Sequence, residues 1–156
     1  MAILDSLIAY WPLEEASGTR VDSHGANDLS DTNTVTQAAG KQGNAAQFTA
    51  ANSEFLTIAD NTDLSTGDID FSIAGWVYLD TKTANRDFIA KWGASGSFEH
   101  ILTYDSSADR FDFYVSSTGS NAVLARANNF GSPSTGTWYF VVVYHDSVNN
   151  VIGISV

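Results

Sequence analysis

The 156-residue chain contains no cysteine. That excludes structural disulfides and thiolate zinc sites, and with them most small secreted disulfide scaffolds. Cations are scarce: 7 Lys+Arg stand against 18 Asp+Glu, a formal net charge of -11. Tracking nucleic-acid phosphates needs clustered positive charge, so nucleic acid is excluded as a partner, and an anionic membrane surface with it. No run approaches the ~18 consecutive apolar residues of a membrane-spanning helix, so no membrane insertion is expected. The stretch from Met1 to Trp11 has no basic leader and is interrupted by Asp5, so it does not read as a signal peptide. Helical periodicity is also missing, since apolar residues nowhere recur at helical spacing for three turns. At 44% hydrophobic and 12% aromatic, the chain is too apolar for a disordered tail. It has no Ala/Glu/Lys/Leu/Arg enrichment of the coiled-coil kind.

What is present is the two-residue alternation of strands. Phe71, Ile73, Val77 and Leu79 share one face of the run Phe71–Leu79, and Ser72, Ala74, Trp76 and Tyr78 share the other. Residues 111–115 alternate similarly. The run Trp138–His145 is apolar on both faces, which predicts a central strand buried on both sides. Shorter strand candidates are Ile8–Leu13, Ala45–Phe48, Phe55–Ile58, Phe88–Lys91, Ile101–Tyr104, Val123–Ala127 and Val151–Val156. Turn clusters rich in Ser, Gly, Asn and Asp separate them. About ten short strands at this spacing predict an all-β, two-sheet antiparallel sandwich of the jelly-roll type. Trp11 and Trp76 are expected to fill the space between the sheets. Negative charge is uneven, with 12 acidic and 2 basic residues in 1–81 but 6 and 5 in 82–156.

Five pieces of the N-terminal half follow in a recognisable order. They are Tyr10-Trp11-Pro12-Leu13-Glu14-Glu15, Asp22-Ser23-His24-Gly25, Gly40 to Phe48, Glu54 to Ile58, and Phe71-Ser72 to Trp76-Val77. This succession resembles the laminin G-like branch of the concanavalin A-like lectin/glucanase superfamily. The resemblance covers residues 8–145 and implies a single domain, 1–156. Relatives of this kind run on for several more strands, so the resemblance also implies that the chain is truncated or completed by another chain. A homo-oligomer or a strand-completing partner is expected on that ground. Expressed alone, the segment is expected to be unstable or self-associating.

Catalysis is not expected. The superfamily's glucanases place two carboxylates about one glycosidic bond from a Glu-x-Asp-x-x-Glu strand. The only glutamates here are Glu14, Glu15, Glu54 and Glu99, and none has that spacing. Asp105, Asp109 and Asp112 straddle a turn and a strand without forming a fixed pair. The three histidines, His24, His100 and His145, lie far apart, with no His-Glu-x-x-His motif and no Gly-x-Ser-x-Gly elbow.

Calcium is the expected cofactor. The turn from Asp22 to Asp28 offers Asp22, Asn27 and Asp28, two carboxylates and an amide within seven residues, and hard cations take oxygen ligands. The resemblance adds that such an Asp-x-x-Gly turn holds calcium together with an acidic residue of a late strand. The competing structural reading is that Asp22 and Asn27 make turn hydrogen bonds. For carbohydrate, the candidate stacking rings are Trp92 in the loop-like Lys91-Trp92-Gly93, Tyr104 before a turn, and Phe130 in Asn128-Asn129-Phe130-Gly131. The bland reading of each is a hydrophobic lid. The expected function is a non-catalytic module binding glycans or cell-surface ligands, extracellular, on a cell surface or on a virion. Its rival is an assembly module that binds another protein.

Overall fold

The computed structural model describes residues 3–156, so Met1 and Ala2 of the N-terminal run lie outside the described residues. Eleven strands form among them, with two short 3-10 turns and no α-helix. The chain divides into two units, Met1–Leu64 and Ser65–Val156, each described by itself.

Met1–Leu64 is built from two-stranded ribbons. β1 (Ser30–Thr32) pairs antiparallel with β4 (Phe55–Thr57), and β2 (Thr36–Ala39) with β3 (Asn44–Gln47). Among its described residues the buried side chains are Arg20, Asp22, Asn27 and Val35, most of them polar. The Arg20 guanidinium donates to the carbonyls of Gly18 and Val35, and its backbone bridges Leu29 in both directions. The expected strand Ile8–Leu13 does not form. There the Tyr10 N–H donates to the Asp22 carboxylate and the Tyr10 carbonyl accepts from Ser23. Pro12 lacks a donor, and Leu13 turns left-handed at φ 61. Turn residues thus take the hydrogen bonds that a ladder would need.

Ser65–Val156 is a sandwich of two antiparallel sheets. The three-stranded sheet runs β11 (Val151–Ser155), β10 (Trp138–Asp146), β5 (Phe71–Tyr78). The four-stranded sheet runs β6 (Arg86–Trp92), β7 (Phe98–Asp105), β8 (Arg110–Val115), β9 (Val123–Arg126). Their facing sides share one apolar core. Val77, Leu79, Val141 and Val143 come from the first sheet and its margin, and Leu102, Tyr104, Phe111, Phe113 and Val115 from the second. The all-β antiparallel sandwich is therefore present as the alternation predicts.

The two faces of the three-stranded sheet are unequal. Val141 and Val143 are wholly buried, as expected, but Trp76 is 48% exposed and Phe140 46%. Two expectations are corrected here: Trp76 does not fill the space between the sheets, and β10 is buried on one side only. Trp76 and Phe140 are register partners on the outward face and pack ring against ring at 5.2 Å. Cross-strand aromatic pairing, rather than burial, places them. Tyr144 stands on the same face opposite Gly153, whose lack of a Cβ leaves room for the tyrosine ring to lie over it. Trp11, half-buried in the other unit, donates its indole N–H to the Asn27 carbonyl.

Along β6 the register with β7 slips between Asp87 and Ile89. The bulge lets consecutive residues Phe88 and Ile89 both pack against the core, and it leaves Asp87 opposite Thr103. No helix among the described residues is long and apolar enough to cross a membrane, a statement that does not bear on β-barrels.

Candidate carbohydrate-binding groove

The outward face of the four-stranded sheet carries polar residues at the alternate positions that the core leaves free. Thr103 and Asp105 on β7 and Asp112 and Tyr114 on β8 share this face. Trp92, at the end of β6, stacks parallel on Phe98 at 4.3 Å and meets Tyr114 edge-on at 6.3 Å. Together Trp92, Tyr114, Thr103, Asp87, Asp105 and Asn85 line an open depression of about 250 Å³.

Asp105, on the lining of this depression, is held by Arg126 of β9. Its Nε and Nη2 both donate to Asp112, at 2.8 and 2.6 Å, and Nη2 also reaches Asp105 at 3.0 Å. These bonds to Asp112 raise the guanidinium's pKa above its ordinary value. The Asp112 side chain is fully buried beneath them. Bidentate pairing of this kind satisfies a carboxylate that burial would otherwise leave unsolvated. The Tyr114 hydroxyl donates to Asp112 as well, at 3.3 Å. Burial first, and then the Asp112 charge, raise the phenol's pKa, so at neutral pH the ring presents a neutral edge. Asp105 spends its other oxygen on the N–H groups of Ser107 and Ala108. Asp87 alone among these carboxylates has no hydrogen-bond or ion-pair partner among the described residues.

The three expected stacking rings have different fates. Trp92 lines the depression. Tyr104 is 1% exposed, its ring packed edge-on against Phe111 in the core and its hydroxyl donating to Asp109 at 2.8 Å. Burial, with that hydrogen bond, pushes the phenol up to about 12. No face is left for a sugar, and Tyr104 is withdrawn as a stacking residue: the turn it precedes is exposed, but its strand position points inward. Phe130 packs on Phe111 and Tyr139 at 6.2 and 5.2 Å and is partly exposed, so it caps the core at its loop. It does not line the depression with Trp92. Tyr114 and Asp87 were missed by sequence reasoning. The available signal was the polar half of the strand alternation, which the apolar half overshadows.

Asp22, Asn27 and Asp28 do come together, around hydrogen bonds. Asp22 Oδ1 accepts the N–H groups of Tyr10 and His24, at 2.9 and 3.0 Å. Oδ2 accepts the backbone and side-chain N–H of Asn27, at 3.1 and 3.3 Å. Asp28 Oδ1 accepts the Asp22 N–H at 2.8 Å. Burial alone would raise the Asp22 pKa, but donors from Tyr10, Gly25, His24 and Asn27 outweigh it and hold the carboxyl well below the ordinary range. Gly25 belongs to the same packing, because a Cβ there would lie 2.8 Å from Asp22 Oδ2 and 2.9 Å from the Ile8 carbonyl. A carboxylate offers about four acceptor positions. Those of Asp22 are committed to N–H groups, so Asp22 has no acceptor position left for a calcium ion. Nor do three His, Asp or Glu side chains converge on a metal position anywhere among the described residues.

Comparison with curated proteins and with solved structures gives no match. A family model of the laminin G type, described as the concanavalin A-like lectin/glucanases superfamily, matches residues 49–155. That span includes β5 to β11 and with them both sheets of the sandwich and the groove. The chain belongs to the concanavalin A-like lectin/glucanase superfamily, in its laminin G-like branch.

Proposed function

We propose that the protein is a non-catalytic carbohydrate-binding module, working outside the cell, whose ligand lies in the groove on the four-stranded sheet. The observation that carries this reading is the grouping of Trp92 and Tyr114 with Asn85, Asp87, Thr103 and Asp105 around one open depression. Sugars present apolar faces that stack on aromatic rings and hydroxyls that are met by amides and carboxylates. A hydrolytic role is disfavoured because Asp105 and Asp112 are both drawn onto Arg126 rather than set apart as an acid and a base. Calcium dependence, which the family resemblance implies, is disfavoured by the donor-saturated Asp22.

A glycan array probed with the whole chain tests the proposal, run in calcium and in EDTA. The expected result is selective retention that survives EDTA and is lost on Trp92→Ala. Silence of a folded sample on every glycan would overturn it.

The assembly reading draws on a different observation, the outward aromatic face that carries Trp76, Phe140 and Tyr144. Exposed apolar surface of this kind marks protein contacts. Sedimentation analysis distinguishes the two readings. A stable oligomer that Phe140→Ser dissociates, with no glycan bound, would favour assembly.

A further inference from the structure

Groups of ionisable and aromatic side chains in Ser65–Val156 differ in whether their charges are already used. Lys82 pairs with Asp109, and Lys91 with Glu99. Arg126 pairs with Asp105 and Asp112. Among the carboxylates that line the groove, Asp87 is the exception. It is exposed, it lines the groove beside Trp92 and Tyr114, and no cation among the described residues meets it. Arg126, the cation that reaches Asp105 of the groove, has Nε and Nη2 spent on Asp105 and Asp112. The depression therefore joins an uncompensated carboxylate to two aromatic rings and an amide, with the chain's net charge of -11 behind it. That combination recognises an ammonium group carried on a hydroxylated, ring-shaped body. The carboxylate forms a charge-assisted hydrogen bond with the ammonium, and the rings take the apolar face of the sugar body.

We infer, resting on the carbohydrate reading above, that the groove takes an amino sugar with a free amine and that Asp87 is its specificity-determining residue. The bulge in β6 supports this assignment. Phe88 and Ile89 turn into the core together, and Asp87 remains on the outward face at the edge of the depression. Displaced register next to a ligand surface is a recurring device for re-aiming one side chain. Anionic sugars, uronic or sulfated, would meet Asp87 with like charge and are disfavoured by the same geometry.

The test is calorimetric titration of the whole chain with three β-1,4 oligomers of equal length, built from glucosamine, N-acetylglucosamine and glucose. The glucosamine oligomer should bind on the order of tenfold tighter than the other two at neutral pH, a preference that salt reduces. Asp87→Asn should bring the three within about threefold of each other, by a selective loss of affinity for the glucosamine oligomer. Circular dichroism confirms that the variant is folded. If the glucose oligomer binds but the wild type shows no amine preference, or if Asp87→Asn retains it, the inference is overturned and the carbohydrate reading stands. Binding by none of the three, with silence on the array, overturns both. A lysine-rich peptide forms a fourth arm. If it binds with Asp87 dependence where the glucosamine oligomer does not, the site reads protein ammonium groups and the amino-sugar assignment fails.

Discussion

The two units of the chain are stabilised by opposite means. Ser65–Val156 closes around a continuous apolar core in which Phe111, Phe113, Val141 and Val143 are completely buried. Among the described residues of Met1–Leu64 the buried side chains are mostly polar, the Asp22 carboxylate and the Arg20 guanidinium among them. Apolar burial is non-directional and scales with area, so it tolerates imprecise neighbours. A buried carboxylate is stable only while its donors stay aligned. One unit should therefore lose stability in proportion to volume removed, and the other in proportion to hydrogen bonds broken.

The largest expected effect tests the apolar side. Phe113→Ala should cost about 3–5 kcal/mol, read as a lower midpoint in chemical denaturation and weaker amide protection along β7 and β8. A loss below about 1 kcal/mol would mean the core reshapes freely around the gap.

Next comes the polar side. Asp22→Ala leaves N–H groups of Tyr10, His24 and Asn27 without their acceptor, a loss of about 1–3 kcal/mol. Amide exchange at those three residues reports it, and the loss should be equal in calcium and in EDTA. A loss seen only in calcium would reinstate the metal. The same carboxylate sets a pH dependence. Its pKa is depressed in the folded state, so its contribution is complete above the unfolded value of about 4 and declines as pH falls below that. Asp22→Asn should flatten this acid limb in the protection of the same amides.

The smallest effect is expected at Trp76. Because its ring is half exposed and meets Phe140 on the outward face, Trp76→Ala should cost about 1 kcal/mol or less. A cost of several kcal/mol would show that this face is covered in solution.

What was legible in the sequence follows the same division. Alternation located β5, β8 and β10 and identified the inward set Phe71, Ile73, Val77 and Leu79, since a period of two is a direct consequence of strand geometry. It also identified the sandwich. It did not find β1 and β2, whose residues, such as Thr36-Gln37-Ala38-Ala39, carry no apolar rhythm. It misplaced Trp76 because size and apolarity suggest burial, whereas the strand's parity puts the indole on the side away from Val77. Tyr104 failed in the reverse direction, as proximity to a turn suggested exposure while parity sent the ring inward. In the groove, Trp92 was visible as an isolated aromatic, but Asp87 and Tyr114 were not. Their role depends on three strands lying side by side, a long-range fact that no local window contains.

Arg126 has a consequence for kinetics as well as for charge. Its two-pronged hold on Asp112, with the third bond to Asp105, fixes three rotatable side chains, the groove-lining Asp105 among them, before any ligand arrives. A surface ordered in advance surrenders little rotational freedom on binding, and complexes formed on such surfaces differ chiefly in residence time. Loosening this lattice by Arg126→Lys should shorten the dwell of a bound sugar while its rate of arrival stays the same.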